Sequence, residues 1–217
     1  VSENRVGPGD DEPPLSAAES LDLIARQDER TRRALRTSPA RLLGVWAFAW
    51  LVGWGLVYLS DHRVASLLPG WVAVAVVAVL FVGAVAYSAL QSIRVGRGIR
   101  GPSKRVARMY GWAWAISFTA MYLVDLRLTL LAGDATDLIT LLWSGTSLLL
   151  TGALYLAGGM LWQDPLPYAF GAWISLCAGA SVLVGVPGNF LVLSLAGGGG
   201  FAVAAVVYVL RARREAR

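Results

Sequence analysis

Six long apolar stretches constrain this chain more than any other feature. They occupy residues 42–60, 71–90, 109–124, 138–162, 168–186 and 190–210. A bilayer core about 30 Å thick is crossed by roughly 17–25 helical residues. Five stretches meet that length directly. The third has sixteen residues and relies on the Arg108 side chain reaching outward to extend it by about a turn. Apolarity is continuous rather than alternating, so helices and not barrel strands are the spanning elements. The expected fold class is an all-α membrane protein with six transmembrane helices. Composition agrees, with 56% apolar and 15% charged residues and a mean hydropathy of +0.58.

Basic residues are spread unevenly around these stretches. Of 19, all are arginine except Lys104. Seven precede the first stretch, six lie between the second and third, and four follow the last; only Arg63 and Arg127 fall on the other side, with Asp61, Asp125, Asp134 and Asp137. Loops rich in arginine and lysine stay cytoplasmic, so both termini are expected inside. Arginine in place of lysine, with abundant alanine, glycine, leucine and valine, points to a GC-rich bacterium and its cytoplasmic membrane. The net charge of +5 follows from this topology and from attraction to anionic lipid. No recognition motif accompanies the charge, and nucleic acid is not an expected partner. Cys177 is the only cysteine, which excludes an intramolecular disulfide; with a single histidine it leaves too few ligands for a typical structural zinc site.

Residues 1–15 are acidic and rich in proline and glycine, a composition expected to be disordered. Ser16-Ala17-Ala18-Glu19 reads as a capping box, which opens a charged cytoplasmic helix over 16–40. That helix carries Asp22/Arg26, Asp28/Arg32 and Glu29/Arg33 four residues apart, acid before base. The six-helix domain then covers 41–210, and 211–217 form a basic cytoplasmic tail. The first forty residues are polar, so no cleavable leader is expected and the first apolar helix directs insertion.

A shift of 64 residues aligns the first and third stretches without a gap. Trp46, Trp50, Trp54 and Tyr58 fall on Tyr110, Trp114, Phe118 and Tyr122, and each series ends in Y-L-x-D-x-R. The repeating unit is a two-helix hairpin, so the expectation is three hairpins, the first two a parallel internal repeat.

Each candidate site residue has a packing and a functional reading. The eight aromatics, four residues apart on each helix, either line a site for an apolar or cationic ligand or serve packing and interfacial anchoring, and packing is favoured. Asp61, Arg63, Asp125 and Arg127 are expected as ion pairs at the outer boundary, either a gate or anchors of helix depth. His62, beside the first pair, is read as solvated. Thr140, Ser144, Ser147 and Thr151 share one face of the fourth stretch, as a polar pathway or, in the favoured reading, as hydroxyls bonding to neighbouring helices. Gly171, Ser175 and Gly179, and Ala196, Gly200 and Ala204, are small-residue seams that permit close helix approach. The run Gly197–Gly200 is a place where the last helix could hinge or unwind.

With the stretches so delimited, no Asp, Glu, Lys, Arg or His falls inside any of them. That weighs against proton-coupled transporters and intramembrane hydrolases. No Walker motif is present, and no serine or threonine has a buried base beside it. No enzymatic activity and no cofactor are expected.

The run Gly44-Val45-Trp46-Ala47-Phe48-Ala49-Trp50 behind an arginine-rich helix resembles bacterial six-helix membrane proteins labelled transporters or permeases. The three-hairpin plan also resembles, in architecture alone, the acid-resistance membrane proteins built from two-helix units. Neither resemblance supplies site residues. The first implies a permease-like or transport-associated subunit without its own ATPase. The alternative is a non-catalytic envelope or stress-related protein acting through self-assembly or partner binding. Expected partners are the lipid bilayer, a second copy of the chain, or a separate ATPase or membrane subunit.

Overall fold

A computed structural model describes residues 16–96 and 102–214, and every regular element among them is helical. The disorder expected for 1–15 and the end of the basic tail lie outside the described residues. Six helices follow one another: α1 Ala17–Ser60, α2 Gly70–Gly96, α3 Pro102–Ala132, α4 Thr136–Trp162, α5 Pro165–Val184 and α6 Gly188–Arg214. Each contains a segment long and apolar enough to cross a membrane, the arrangement of a multi-pass membrane protein.

Local signals set several of these boundaries. Helix α1 begins where the capping box predicts. The Ser16 hydroxyl accepts from the Glu19 backbone N–H at 3.2 Å, and the Glu19 carboxylate accepts from the Ser16 backbone N–H at 2.8 Å. The charged segment is not a separate element, however: α1 continues through Pro39 into its apolar part, Pro39–Ser60. Likewise Arg211, Arg213 and Arg214 are the last turn of α6, where cations favour a helix C-terminus, rather than the start of a free tail.

The third span is longer than its hydropathy suggested. Its apolar segment runs Arg105–Ala132, and Asp125 and Arg127 lie within it. The apolar stretch expected to end at Val124 is thus part of a longer helix, which continues to Ala132 and carries Asp125 and Arg127 in its last turns. Two charged residues interrupted the apolar run in sequence, but leucines at 126, 128, 130 and 131 continue the helix.

Helix α2 packs chiefly against α1, and α3 chiefly against α4, while α1 also packs on α6 and α5 on both α4 and α6. The closest pair is α4–α5, joined by Gln163, in left-handed backbone geometry, and Asp164, which caps α5 through the Leu166 N–H. Their seam is built on a seven-residue period. Gly145, Gly152 and Gly159 on α4 meet Val182, Ser175 and Tyr168 on α5. A Cβ at Gly152 would sit 2.8 Å from the Gly171 carbonyl oxygen, and one at Gly159 would sit 2.5 Å from the Tyr168 nitrogen. Only glycine lets the backbones approach so closely, and van der Waals contact is the main attraction between helices in lipid. Gly179, in the small-residue seam expected on α5, faces open space instead.

The α1–α6 seam follows the same logic. Gly197 and Gly198 lie against Trp50 and Leu51, and the Ser194 hydroxyl donates to the Leu51 carbonyl at 2.9 Å. Here α6 does not break at its glycine run. It widens to π-helical geometry over Val192–Gly198 and resumes as an α-helix from Gly199.

Two outcomes are expected. Gly152→Val should destabilise the protein by about 1–3 kcal/mol through overpacking, read as a lower unfolding temperature in detergent, whereas Gly179→Val should leave that temperature nearly unchanged. The Ser16 N–H, and then its hydroxyl, hold the Glu19 carboxyl below its ordinary value. The capping contribution is thus present above the unfolded-state value and lost as pH falls through the folded one. Hydrogen exchange in the first turn of α1 should accelerate on acidification below the carboxylate range, and in Glu19→Ala it should be fast at every pH.

Candidate functional site

The eight aromatics form two separate helix seams. On α1, Trp46, Trp50 and Trp54 surround Phe81 of α2, with ring centroids 5.5, 5.8 and 5.9 Å away. Trp50 also meets Phe201, and Trp54 stacks on Phe190, both from α6. Tyr58 packs against the same core. On α3, Tyr110 lies edge-on to Trp162 and its hydroxyl donates to the Leu154 carbonyl at 2.6 Å. Trp114 stacks on Phe118 and meets Tyr155, and Tyr122 meets Trp143. The two series therefore do not converge on a common site. Trp50 is buried where its counterpart Trp114 is half-buried, and Tyr58 is half-buried where its counterpart Tyr122 is largely exposed, so residues that correspond in sequence occupy different surroundings.

The outer charges pair differently from the sequence expectation. Arg63 reaches Asp137 at the start of α4 with a nitrogen–oxygen distance of 3.1 Å, and donates to the Val186 carbonyl between α5 and α6 at 3.3 Å. It thus ties together three connections at one end of the bundle. The Asp137 carboxylate raises the Arg63 guanidinium above its ordinary value. Asp61 instead accepts from the Arg63 backbone N–H at 2.8 Å, an Asx turn, with the exposed His62 at 3.7 Å. Hence Asp61 and Arg63 are not side-chain partners.

Asp125 does not pair with Arg127 either. Two helical residues are separated by about 200° around the axis, so the side chains leave α3 on opposite sides. Asp125 belongs to the face of α3 that carries Trp114, Phe118 and Tyr122, and Thr129 continues the face one turn later, accepting from the Trp143 indole at 2.9 Å. It is 1% exposed although Val124 and Leu126 beside it are 57% and 40% exposed. Its Oδ2 lies 2.6 Å from the Thr146 hydroxyl oxygen on α4, and its Oδ1 is buried without a partner. The carboxyl is seven residues, or about 10 Å, from the end of α3.

The polar stripe on α4 behaves as a set of self-satisfied hydroxyls. Thr140 donates to the Thr136 carbonyl, Ser144 to Thr140 and Thr151 to Ser147, at 2.9, 2.8 and 2.7 Å. The preference for interhelical bonding is corrected for these residues. Ser144 alone in the stripe also meets another helix, accepting from the Asn189 side-chain nitrogen of α6 at 3.5 Å. Ser147 has no side-chain hydrogen bond among the described residues.

Sequence reasoning missed two polar residues. Thr146 lies off the stripe and carries the contact to α3. Asn189 is fully buried at the start of α6, its Oδ1 without a partner. A signal existed for each: Thr146 directly precedes Ser147 of the stripe, and Asn189 abuts the apolar run at Phe190.

Away from these groups, an apolar groove of about 520 Å³ runs between α5 and α6, lined by Phe170, Trp173, Gly200 and Ala204 among others. Trp173 donates to the Ala196 carbonyl there at 2.9 Å, within the π-helical segment. Among the described residues no group of three or more His, Cys, Asp or Glu is placed to hold a metal ion. No known protein family, curated protein or solved structure matches the chain.

The aromatic seams carry their own expectation. Trp50→Ala should lower stability by about 3 kcal/mol because its cavity opens at the meeting of α1, α2 and α6. Trp114→Ala, at the less buried α3–α4 seam, should cost less, as read by unfolding temperature in detergent.

Proposed function

We propose that this protein is a permease-like, transport-associated membrane subunit that works without an ATPase of its own. The observation that carries the reading is Asp125, a carboxyl on the membrane-crossing helix α3, 1% exposed, with one oxygen bonded across the α3–α4 seam and the other unpartnered. Ionisable groups at such positions are costly, and where they persist they mark ion and substrate pathways by default. The location on α3 adds support. This helix packs mainly on α4 and is the least buried span, so it is held by fewer contacts than the α4–α5 pair. An element with few buried contacts is free to move relative to a rigid body.

The same proposal places the protein in a bacterial cytoplasmic membrane with both ends inside, supported by the basic residues ahead of the apolar part of α1, around the α2–α3 connection and at the end of α6. The opposite end carries only two basic residues, Arg63 and, near the end of α3, Arg127. The 64-residue correspondence is read as common ancestry of the α1–α2 and α3–α4 hairpins, after which α1 became central and α3 peripheral. Its support is the matched aromatic series and the pairing of each helix with its successor.

Two measurements test this reading. Vesicles containing the purified chain should take up at least one small solute or monovalent ion faster than protein-free vesicles under an imposed pH gradient or potential. A stable homo-oligomer with no uptake of any class would favour the assembly alternative. For orientation, cysteines at Ser66 and Ala135, both exposed, should react with an impermeant maleimide on intact cells, and one at Arg213 only after permeabilisation. The reverse pattern would overturn the orientation. Cys177 is buried.

A further inference from the structure

The Thr146 hydroxyl has one proton and two close acceptors. Its oxygen lies 2.6 Å from Asp125 Oδ2 and 2.8 Å from the Leu142 carbonyl oxygen, with the Trp143 carbonyl more distant at 3.4 Å. One proton cannot serve both short contacts well. Thr140, Ser144 and Thr151 on the same helix each give theirs to the carbonyl four residues back. If Thr146 does likewise, its proton goes to Leu142, and the short contact to Asp125 then needs a proton from the carboxyl side.

The surroundings agree with a neutral acid. Among the described residues no basic side chain forms an ion pair with Asp125; the ion pairs across the fold are at Asp61, Asp137 and Asp164. On α3, Arg127 points to the other side. On α4, the helix packed against it, the titratable groups are Asp137, held by Arg63, and Tyr155, which packs against Trp114 and Phe170. Each is nine residues from Thr146, or about 13 Å along the helix. The orphaned Oδ1 is far more costly on a buried carboxylate than on a neutral carboxyl.

We propose that Asp125 and Thr146 form a proton-binding site inside the third span, the carboxyl resting protonated and donating to the Thr146 oxygen. Proton release breaks the Asp125 O–H bond and delivers the proton to water or to a passing solute. The Thr146 hydroxyl then rotates from Leu142 to the new carboxylate, so the donor sense of the α3–α4 link reverses with the state of the site. Resting on the transport reading above, this makes Asp125 the group through which protons couple to solute movement.

The full chain in lipid nanodiscs, treated near neutral pH with a hydrophobic carbodiimide, which attacks protonated carboxyls, tests the site without any known substrate. Peptide mass spectrometry should find the adduct at Asp125 and not at the exposed Asp134 or Asp137. Infrared spectra should show the C=O band of a protonated carboxyl that is missing from Asp125→Asn and shifted in Thr146→Val. Wild-type protein alone suffices for the labelling should a variant fail to fold. No adduct at Asp125, with no such band, would show an ionised carboxylate and overturn the proton site. In proteoliposomes, a pH gradient should accelerate solute uptake by the wild type several-fold and leave Asp125→Asn unaffected. Equal acceleration of both would overturn the coupling role while leaving transport standing. No uptake by any variant would overturn transport and the coupling role with it, while labelling and infrared spectra would still decide whether the site holds a proton.

Discussion

Close backbone approach between α4 and α5 is the constraint around which the bundle is arranged. In lipid there is no hydrophobic gain from bringing two apolar helices together, so attraction depends on how many atoms can touch. Glycines at 145, 152 and 159 remove the side chains that would hold the helices apart, and Val182, Ser175 and Tyr168 fill the space at the same period. The rigid pair that results presents Phe170 and Ile174 to α6 and the inner core, and Thr146 and Tyr155 to α3. The second seam, between α1 and α6, is assembled by the same means at Gly197 and Gly198. Helices α2 and α3 then lie against the outside of these two seams.

Polar groups within this body follow a simple division. Hydroxyls with nothing to reach return to their own helix carbonyls, which satisfies them at little structural consequence. Those that cross between helices include Trp46 to Ser88, Tyr110 to Leu154, Trp143 to Thr129, Trp173 to Ala196, Ser194 to Leu51, Asn189 to Ser144, and Thr146 to Asp125. Of these only the last includes a carboxyl. It also lies on the least buried helix, which brings a change of charge and freedom to move to the same place.

Much of the architecture is legible in the chain. Continuous apolarity indicated helical crossing and the number of spans, and the capping box at Ser16 located the start of α1, because both depend on short-range chemistry. The length of α3 was not legible. Hydropathy treats Asp125 as a stop, and only the position of Thr146 on a different helix shows how the carboxyl is accommodated. The glycine period on α4 was present in the sequence as spacing, but its meaning depended on which residues of α5 stood opposite.

The sequence by itself determined that the chain folds in a membrane as six helices, because burial of backbone hydrogen bonds in an apolar stretch allows few other solutions. Which aromatics share a seam, that Arg63 turns to Asp137 and not Asp61, and that Asp125 faces Thr146 rather than the membrane boundary were decided only by tertiary structure. These are relations between residues far apart in the chain, and each depends on the rotation and depth at which two helices meet.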